Sequence, residues 1–195
     1  MRLIYGVGYN DGIKPSKING KRTKHYELWI GMIRRCYSQK DHANNKFTSY
    51  IGCTVSENFK SYSYFYDWCN KQPCFNLSGF DLEKDLLIKG NRVYSETNCL
   101  FLPKEINMLI QRKESQRGEF LIGVTYRSRE GRFHSQISIG GKNKTVGYFK
   151  NEIDAFYAYK KAKEEHIKSL AEKYKDIITE KAYIALMNYK VDITD

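Results

Sequence analysis

The sequence predicts an α+β protein in two parts: helices leading into a strand–loop–strand–helix unit, then a three-stranded antiparallel sheet packed on one helix. Three observations predict it. Apolar residues recur at helical spacing through the first third of the chain, as in Tyr26, Trp29, Ile30, Ile33 and Tyr37. After Gly79 the period changes, and Phe80–Leu87 and Cys99–Leu102 read as strands on either side of a Gly/Asn-centred loop. Beyond residue 118, three strand signals separated by glycine-containing turns precede a long helix with an alanine/aromatic stripe.

Taken in order, the first 23 residues, rich in Gly, Asn and Lys, read as an irregular basic arm. A helix follows over Lys24–Tyr37, with Arg34 and Arg35 on its last turn, where cations suit the helix dipole. Ser38–Asn45 is a polar loop. Glu57–Asn70 is a second helix, with Phe59, Tyr62, Tyr66 and Cys69 on one stripe. Gln72–Gly79 turns, the strand–loop–strand segment follows, and Pro103 opens a helix that Glu105–Arg112 continues. Gln111–Arg117 is charged and aperiodic and reads as the linker, so the first domain spans 1–111. The second, 118–175, holds strands at Phe120–Arg127, Arg132–Ser138 and Thr145–Phe149, with turns at Ser128–Gly131 and Gly140–Asn143. Asn151 caps its helix, which runs to about Tyr174. Residues 176–195 form a tail with a short helix over Glu180–Asn188.

Composition narrows the function. No apolar run approaches the roughly 18 residues a membrane span needs, and no apolar signal segment opens the chain. The expectation is a soluble protein working in the cytoplasm where it is made. Five cysteines without a CxxC pair argue against a disulfide framework or a zinc ribbon and read as small core residues. The net charge of +11 sits in two blocks, residues 1–47 at +7 and 112–150 at +6, while 48–111 and 151–195 are each −1. Clustered positive charge with abundant tyrosine points to a polyanion.

In Arg132–Ser138 the side chains alternate, Arg132, His134, Gln136 and Ser138 on one face and Phe133, Ser135, Ile137 and Ile139 on the other. One helix covers one face of a three-stranded sheet, so the polar face is left to solvent. Arg and Gln have the forks that pair with guanine and adenine edges. The run from Gly123 to Lys163 resembles DNA-binding domains of the APETALA2/ethylene-response-factor type. The resemblance is carried by Gly123-Val124, Val146-Gly147-Tyr148-Phe149 and Ala155-Phe156-Tyr157-Ala158-Tyr159. It implies that the sheet enters the major groove, with Thr125, Arg127, Arg129, Gln136, Ser138 and Thr145 at the family's contact positions. The family usually has Arg at the first of these and Trp at the third and last, so the docking mode carries over and the target sequence does not.

The segment Leu82-Glu83-Lys84-Asp85 gathers three acids, with Asp81, around one lysine, and clustered carboxylates raise the question of a cation. From Leu28 to Ile110 the chain resembles phage-type HNH homing endonucleases of the ββα-metal fold. The matching features are Trp29-x-x-Met32-x-x-Arg35-Cys36-Tyr37, Phe65-Tyr66-Asp67-Trp68, Gly90-Asn91-Arg92-Val93-Tyr94-Ser95-x-x-Asn98-Cys99 and Pro103 through Asn107. By that resemblance Glu83 matches the metal-binding acid and Lys84 the histidine general base. Asn98 matches the loop-structuring asparagine and Asn107 the helical metal ligand. The implied cofactor is a divalent metal, Mg²⁺, with no small-molecule cofactor. Lysine for histidine is a departure, since free imidazole titrates near 6.5 and free lysine near 10.4. His25 and His42 are the histidines nearest in sequence that could supply a base instead.

The first reading is therefore a metal-dependent DNA endonuclease of HNH homing type, with double-stranded DNA as partner. Its basic blocks, including Arg34 and Arg35, would contact the phosphate backbone on either side of the cut. The alternative is a catalytically inactive HNH-like DNA-binding protein, a phage regulator or counter-defence factor that engages a protein partner. An RNA-binding module is a third reading, since aromatics among basic residues also suit single strands.

Overall fold

The computed structural model describes residues 3–111 and 118–194, a mixture of helix and strand that includes a three-stranded antiparallel sheet. The chain divides into two compact units, Met1–Leu102 with Ile177–Ala182, and Pro103–Asp176 with Tyr183–Asp195. The helix after Pro103, read from the sequence with the first domain, thus counts with the second unit. Of the segment read as the linker, residues 112–117 lie outside the described residues.

In the first unit the arm contains a two-residue hairpin, β1 (Lys17–Ile18) with β2 (Lys21–Arg22), whose side chains are all exposed. Its turn, Asn19-Gly20, has positive φ at both residues, which is what a tight hairpin asks for. Helix α1 (Lys24–Tyr37) spans the residues expected, and Thr23 caps it by accepting the Tyr26 N–H at 3.2 Å. Its buried face is Trp29, Met32, Ile33 and Cys36. The stretch read as a polar loop contains a short helix, α2 (Gln39–Ala43), capped by Ser38. A 3-10 turn, Thr48–Tyr50, leads to β3 (Thr54–Val55).

The helix expected over Glu57–Asn70 is two, α3 (Glu57–Lys60) and α4 (Tyr62–Asn70), broken at Ser61. The cause is tertiary. Tyr9 of the arm donates to the Lys60 carbonyl at 2.9 Å and accepts from the Tyr62 N–H at 3.0 Å. That bridge takes over backbone bonds a continuous helix would have closed, and Ser61 caps the new start by accepting the Tyr64 N–H. An aromatic core results. Trp29 donates its indole N–H to the Phe59 carbonyl at 2.8 Å, and Phe59, Tyr62, Phe65, Trp68, Phe75 and Phe101 pack with it. All five cysteines are free thiols and buried, and burial pushes Cys36 and Cys99 up to about 12. They fill space rather than react.

Strand β4 (Phe80–Glu83) is four residues shorter than the alternation suggests. It pairs with β6 (Leu100–Pro103), and the loop between them holds β5 (Val93–Tyr94), which runs parallel to β3.

The second unit begins with helix α5 (Lys104–Ile110), which buries Ile106 and Asn107. Strands β7 (Val124–Arg127), β8 (Arg132–Ile139) and β9 (Lys142–Phe149) form an antiparallel meander. Gly140 and Gly141, both at positive φ, turn β8 into β9 in two residues, so β9 starts three residues earlier than expected. Helix α6 (Glu152–Tyr174) covers one face, capped by Asn151, which accepts the Asp154 N–H at 2.8 Å. Val124, Ile137, Ala155, Phe156, Tyr159 and Val191 make its core. The last helix, α7 (Glu180–Met187), matches the short helix expected in the tail.

Gly123 shows why the motif starting this sheet needs glycine. Its φ is +78°, and a methyl group there would lie 2.1 Å from the Tyr159 ring that α6 presses against the sheet. Gly123→Ala should therefore cost about 2–4 kcal/mol, strain and overlap together. Gly131→Ala, at φ +60° with open space around it, should cost about 1 kcal/mol. Urea unfolding of both variants measures the difference, and equal costs would remove the packing explanation.

Candidate nucleic-acid interface and the strand-end site

The acidic segment at the end of β4 is organised by its own side chains. The Glu83 carboxylate accepts the Lys84 N–H at 2.9 Å and the Asp85 N–H, so the backbone turns there and leaves the ladder. Glu83 is buried, and burial pushes its carboxyl above the ordinary range, with the two backbone donors opposing. Lys84 is buried as well, its side chain 9% exposed. Its Nζ donates to both oxygens of Asp85, at 2.6 and 2.7 Å, and to the Asn91 carbonyl at 2.8 Å. An ammonium has three N–H donors, and here three oxygens take them.

The asparagine that holds the loop is Asn91, which the sequence reading did not choose. Its amide donates to the Lys84 and Val93 carbonyls, each at 2.8 Å, and its oxygen accepts the Val93 N–H at 3.0 Å. Asn98, expected in that role, is half-buried and donates to the Asn91 side chain at 3.4 Å. The signal was present, since Gly90-Asn91 marks the tip of the loop, but only the fold shows which asparagine faces both arms.

The two arginines on α1 are also committed. Arg34 grips Asp41 with two hydrogen bonds, at 2.7 and 2.9 Å. Those bonds, with the Ser38 hydroxyl, hold the Asp41 carboxyl well below the usual range. Arg35 lies over the rings of Tyr50 and Tyr94, centroids 5.5 and 5.7 Å away, and Lys84 lies over the same two rings at 5.8 and 5.7 Å. His25 stacks on Tyr66 at 3.8 Å, and the His42 ring bonds the Arg35 carbonyl at 2.8 Å, so neither histidine joins the strand-end turn.

Asn107 is buried on α5, in the second unit. Within the first unit the donors for a cation are the carboxylates of Glu83 and Asp85 and the Asn91 carbonyl. As arranged, they do not fit a resident divalent ion. The Lys84 ammonium already takes Asp85 and Asn91, and one Glu83 oxygen is spent on two backbone N–H groups.

The sheet face away from α6 is the second candidate. Cross-strand pairs place Arg127 opposite Arg132, Thr125 opposite His134, His134 opposite Tyr148, Gln136 opposite Thr145 and Ser138 opposite Asn143. Five of the six family-matched positions therefore share one face, and Arg129 sits on the β7–β8 turn beside it. Between Ser135 and Gln136 the register shifts, from Gly147 to Thr145 as partner, so Val146 is the extra residue of a bulge. The bulge brings Thr145 and Tyr148, three residues apart, to the same face. Simple alternation would have separated them, and Tyr148 is not among the contact positions the resemblance implied. Arg132 and Asn143 also join the face. The expectation that His134 is solvated is corrected: it is 3% exposed, stacked on Tyr148 with centroids 4.8 Å apart and bonded to its neighbours.

No family model matches the chain, and no curated protein or solved structure does either. No helix among the described residues is long and apolar enough to cross a membrane.

The Lys84 geometry makes a metal prediction. Titrated with Mn²⁺, the wild-type chain should leave the free-ion electron-spin signal unchanged at concentrations where Lys84→Ala binds one ion per chain. Asp85→Asn should cancel that gain. Lys84→Met, which keeps the packing of the stem, should behave as Lys84→Ala. Equal Mn²⁺ uptake by wild type and both Lys84 variants would show that the ammonium does not displace a metal.

Proposed function

We propose that this chain binds duplex DNA and reads it with the outer face of the β7–β9 sheet. One observation carries the reading: nine side chains share or line that face, Thr125, Arg127, Arg132, His134, Gln136, Ser138, Asn143, Thr145 and Tyr148, and none is acidic. A narrow antiparallel sheet fits the major groove, and Arg, Gln, Asn and Thr are the side chains that address base edges and phosphates there. The exposed hairpin of the arm, with Lys17, Lys21 and Arg22, supplies a second basic element for the phosphate backbone. Of the two activities raised by the resemblance to HNH enzymes, DNA binding needs no group that is already spent. Metal-dependent cleavage needs Glu83 and Lys84, which hold their own turn.

Binding of a duplex by the full chain should weaken steeply with salt. For about six neutralised phosphates, log affinity against log salt should have a slope of about −5. Arg127→Ala and Arg132→Ala should each weaken binding by about 1–3 kcal/mol if they reach base edges. Duplex RNA as competitor should displace DNA poorly. A slope near zero, or no effect of either arginine, would remove the reading. Nicking of supercoiled plasmid that depends on a divalent metal and disappears with EDTA and in Glu83→Ala would put the endonuclease reading in its place.

A further inference from the structure

His134 sits in the middle of the proposed reading face, yet it is buried and cannot meet a base. Its two ring nitrogens face two residues that can. The Arg127 Nη2 approaches Nδ1 at 3.5 Å, and Nε2 lies 3.0 Å from the Thr145 hydroxyl. A guanidinium has only donors, so the arrangement suits a tautomer in which Nδ1 faces Arg127 as an acceptor and Nε2 carries the ring proton and donates to Thr145. The strands reinforce this. Arg127 is two residues along β7 from Thr125, the cross-strand partner of His134, and Tyr148 of β9 closes over the ring.

We propose that His134 is a positioning residue: its neutral ring links β7 to β9 and holds Arg127 and Thr145 in the orientation the face presents to DNA. The inference rests on the DNA-reading proposal and deepens it. Because the Thr145 oxygen accepts from the ring, its own proton is free to point outward, and Thr145 meets DNA as a donor. Arg127 spends one N–H on the ring and keeps the remainder of its fork for the groove. A second ring proton would occupy Nδ1, remove the acceptor and place imidazolium against guanidinium.

The surroundings disfavour that proton. Burial comes first in depressing the His134 pKa, and the Arg127 charge on β7 adds to it. Glu130, on the β7–β8 turn, opposes, while β9 contributes the neutral groups Thr145 and Tyr148. Burial and the Arg127 charge both favour the neutral ring, which takes its second proton at a lower pH than an ordinary imidazole does.

The test separates the brace from the DNA reading. Duplexes are enriched from a random pool by the wild-type chain at pH 7.5, and affinity for the enriched duplex is compared with affinity for random duplex. His134→Phe fills the space against Tyr148 without the two bonds and should lose discrimination at least tenfold. His134→Gln, whose amide can accept from Arg127 and donate to Thr145, should retain most of it. Wild-type discrimination should fall as pH is lowered below the ordinary imidazole range, and that of His134→Gln should not. Ring ¹⁵N shifts of the wild type at pH 7.5, measured without DNA, should show the proton on Nε2 alone. A proton on Nδ1, or full discrimination in His134→Phe, overturns the brace even where DNA binding stands. If no sequence is enriched, the reading proposal fails while the ring shifts still decide the brace.

Discussion

An ammonium surrounded by oxygens is the contact on which the strand-end region of the first unit depends. Three consecutive residues, Glu83, Lys84 and Asp85, each do a different part of one task. The Glu83 carboxylate ends the strand by accepting the Lys84 and Asp85 N–H groups in a turn of its own. Lys84 then swings under the loop, and Asp85 and the Asn91 carbonyl hold it. Asn91 closes the other arm. Remove the cation and the buried Glu83 carboxylate is left beside Asp85, itself half-exposed, with no positive charge between the two acids. A lysine side chain answers that need covalently, where a metal would answer it from solution.

The second unit works under a different constraint. A three-stranded sheet with one helix can bury only one face, so the other face is left to solvent. On that side His134 is buried although it points away from the helix. It is enclosed by Arg127, Thr145 and Tyr148 on the flanking strands. The bulge at Val146 makes that enclosure feasible, since it turns Thr145 and Tyr148 to one side while Val146 packs with the core. A face whose polar groups are tied across strands loses less entropy when it docks than one of free side chains. That is the physical case for reading it as an interface rather than as an ordinary polar surface.

How much of this was legible depends on whether the cause was local. Helix α1 could be read residue for residue, because its cap, its apolar period and its last-turn cations all lie within the segment. The sheet and helix of the second unit were legible as elements, from glycine turns and the Asn151 cap, but not in their bounds: β7 starts at Val124 rather than Phe120 and β9 at Lys142 rather than Thr145. The break at Ser61 was not legible, because it is made by Tyr9, fifty residues upstream in a segment without periodicity. The end of β4 was misread for a related reason: Asp81, Glu83 and Asp85 alternate as a strand face should, and nothing in that pattern says that Glu83 will cap its own turn. At the candidate sites, residue types were legible and their engagements were not. Lys84, Arg34 and Arg35 look identical in sequence whether they are free or spent.

That distinction changes what the net charge means. A formal +11 counts every cation alike, but the fold sorts them. Lys24 is held by the carbonyls of Phe75 and Leu77, Arg34 by Asp41, Lys84 by Asp85, and Lys14 by Asp67. Arg35 is flattened over two tyrosines. These support the first unit and have little left for a polyanion. Lys17, Lys21 and Arg22 of the hairpin, and Arg127, Arg129 and Arg132 of the sheet and its turn, are exposed. Counterion release scales with the cations that reach phosphate, not with the total. Among the described residues, the basic block of 1–47 leaves its hairpin exposed together with Lys40 and Lys46, whereas Arg127 and Arg132 of the second block share one non-acidic face, with Arg129 on the turn beside it. On the DNA-reading proposal, side-chain engagement favours the sheet over helix α1 as the face that would meet a duplex.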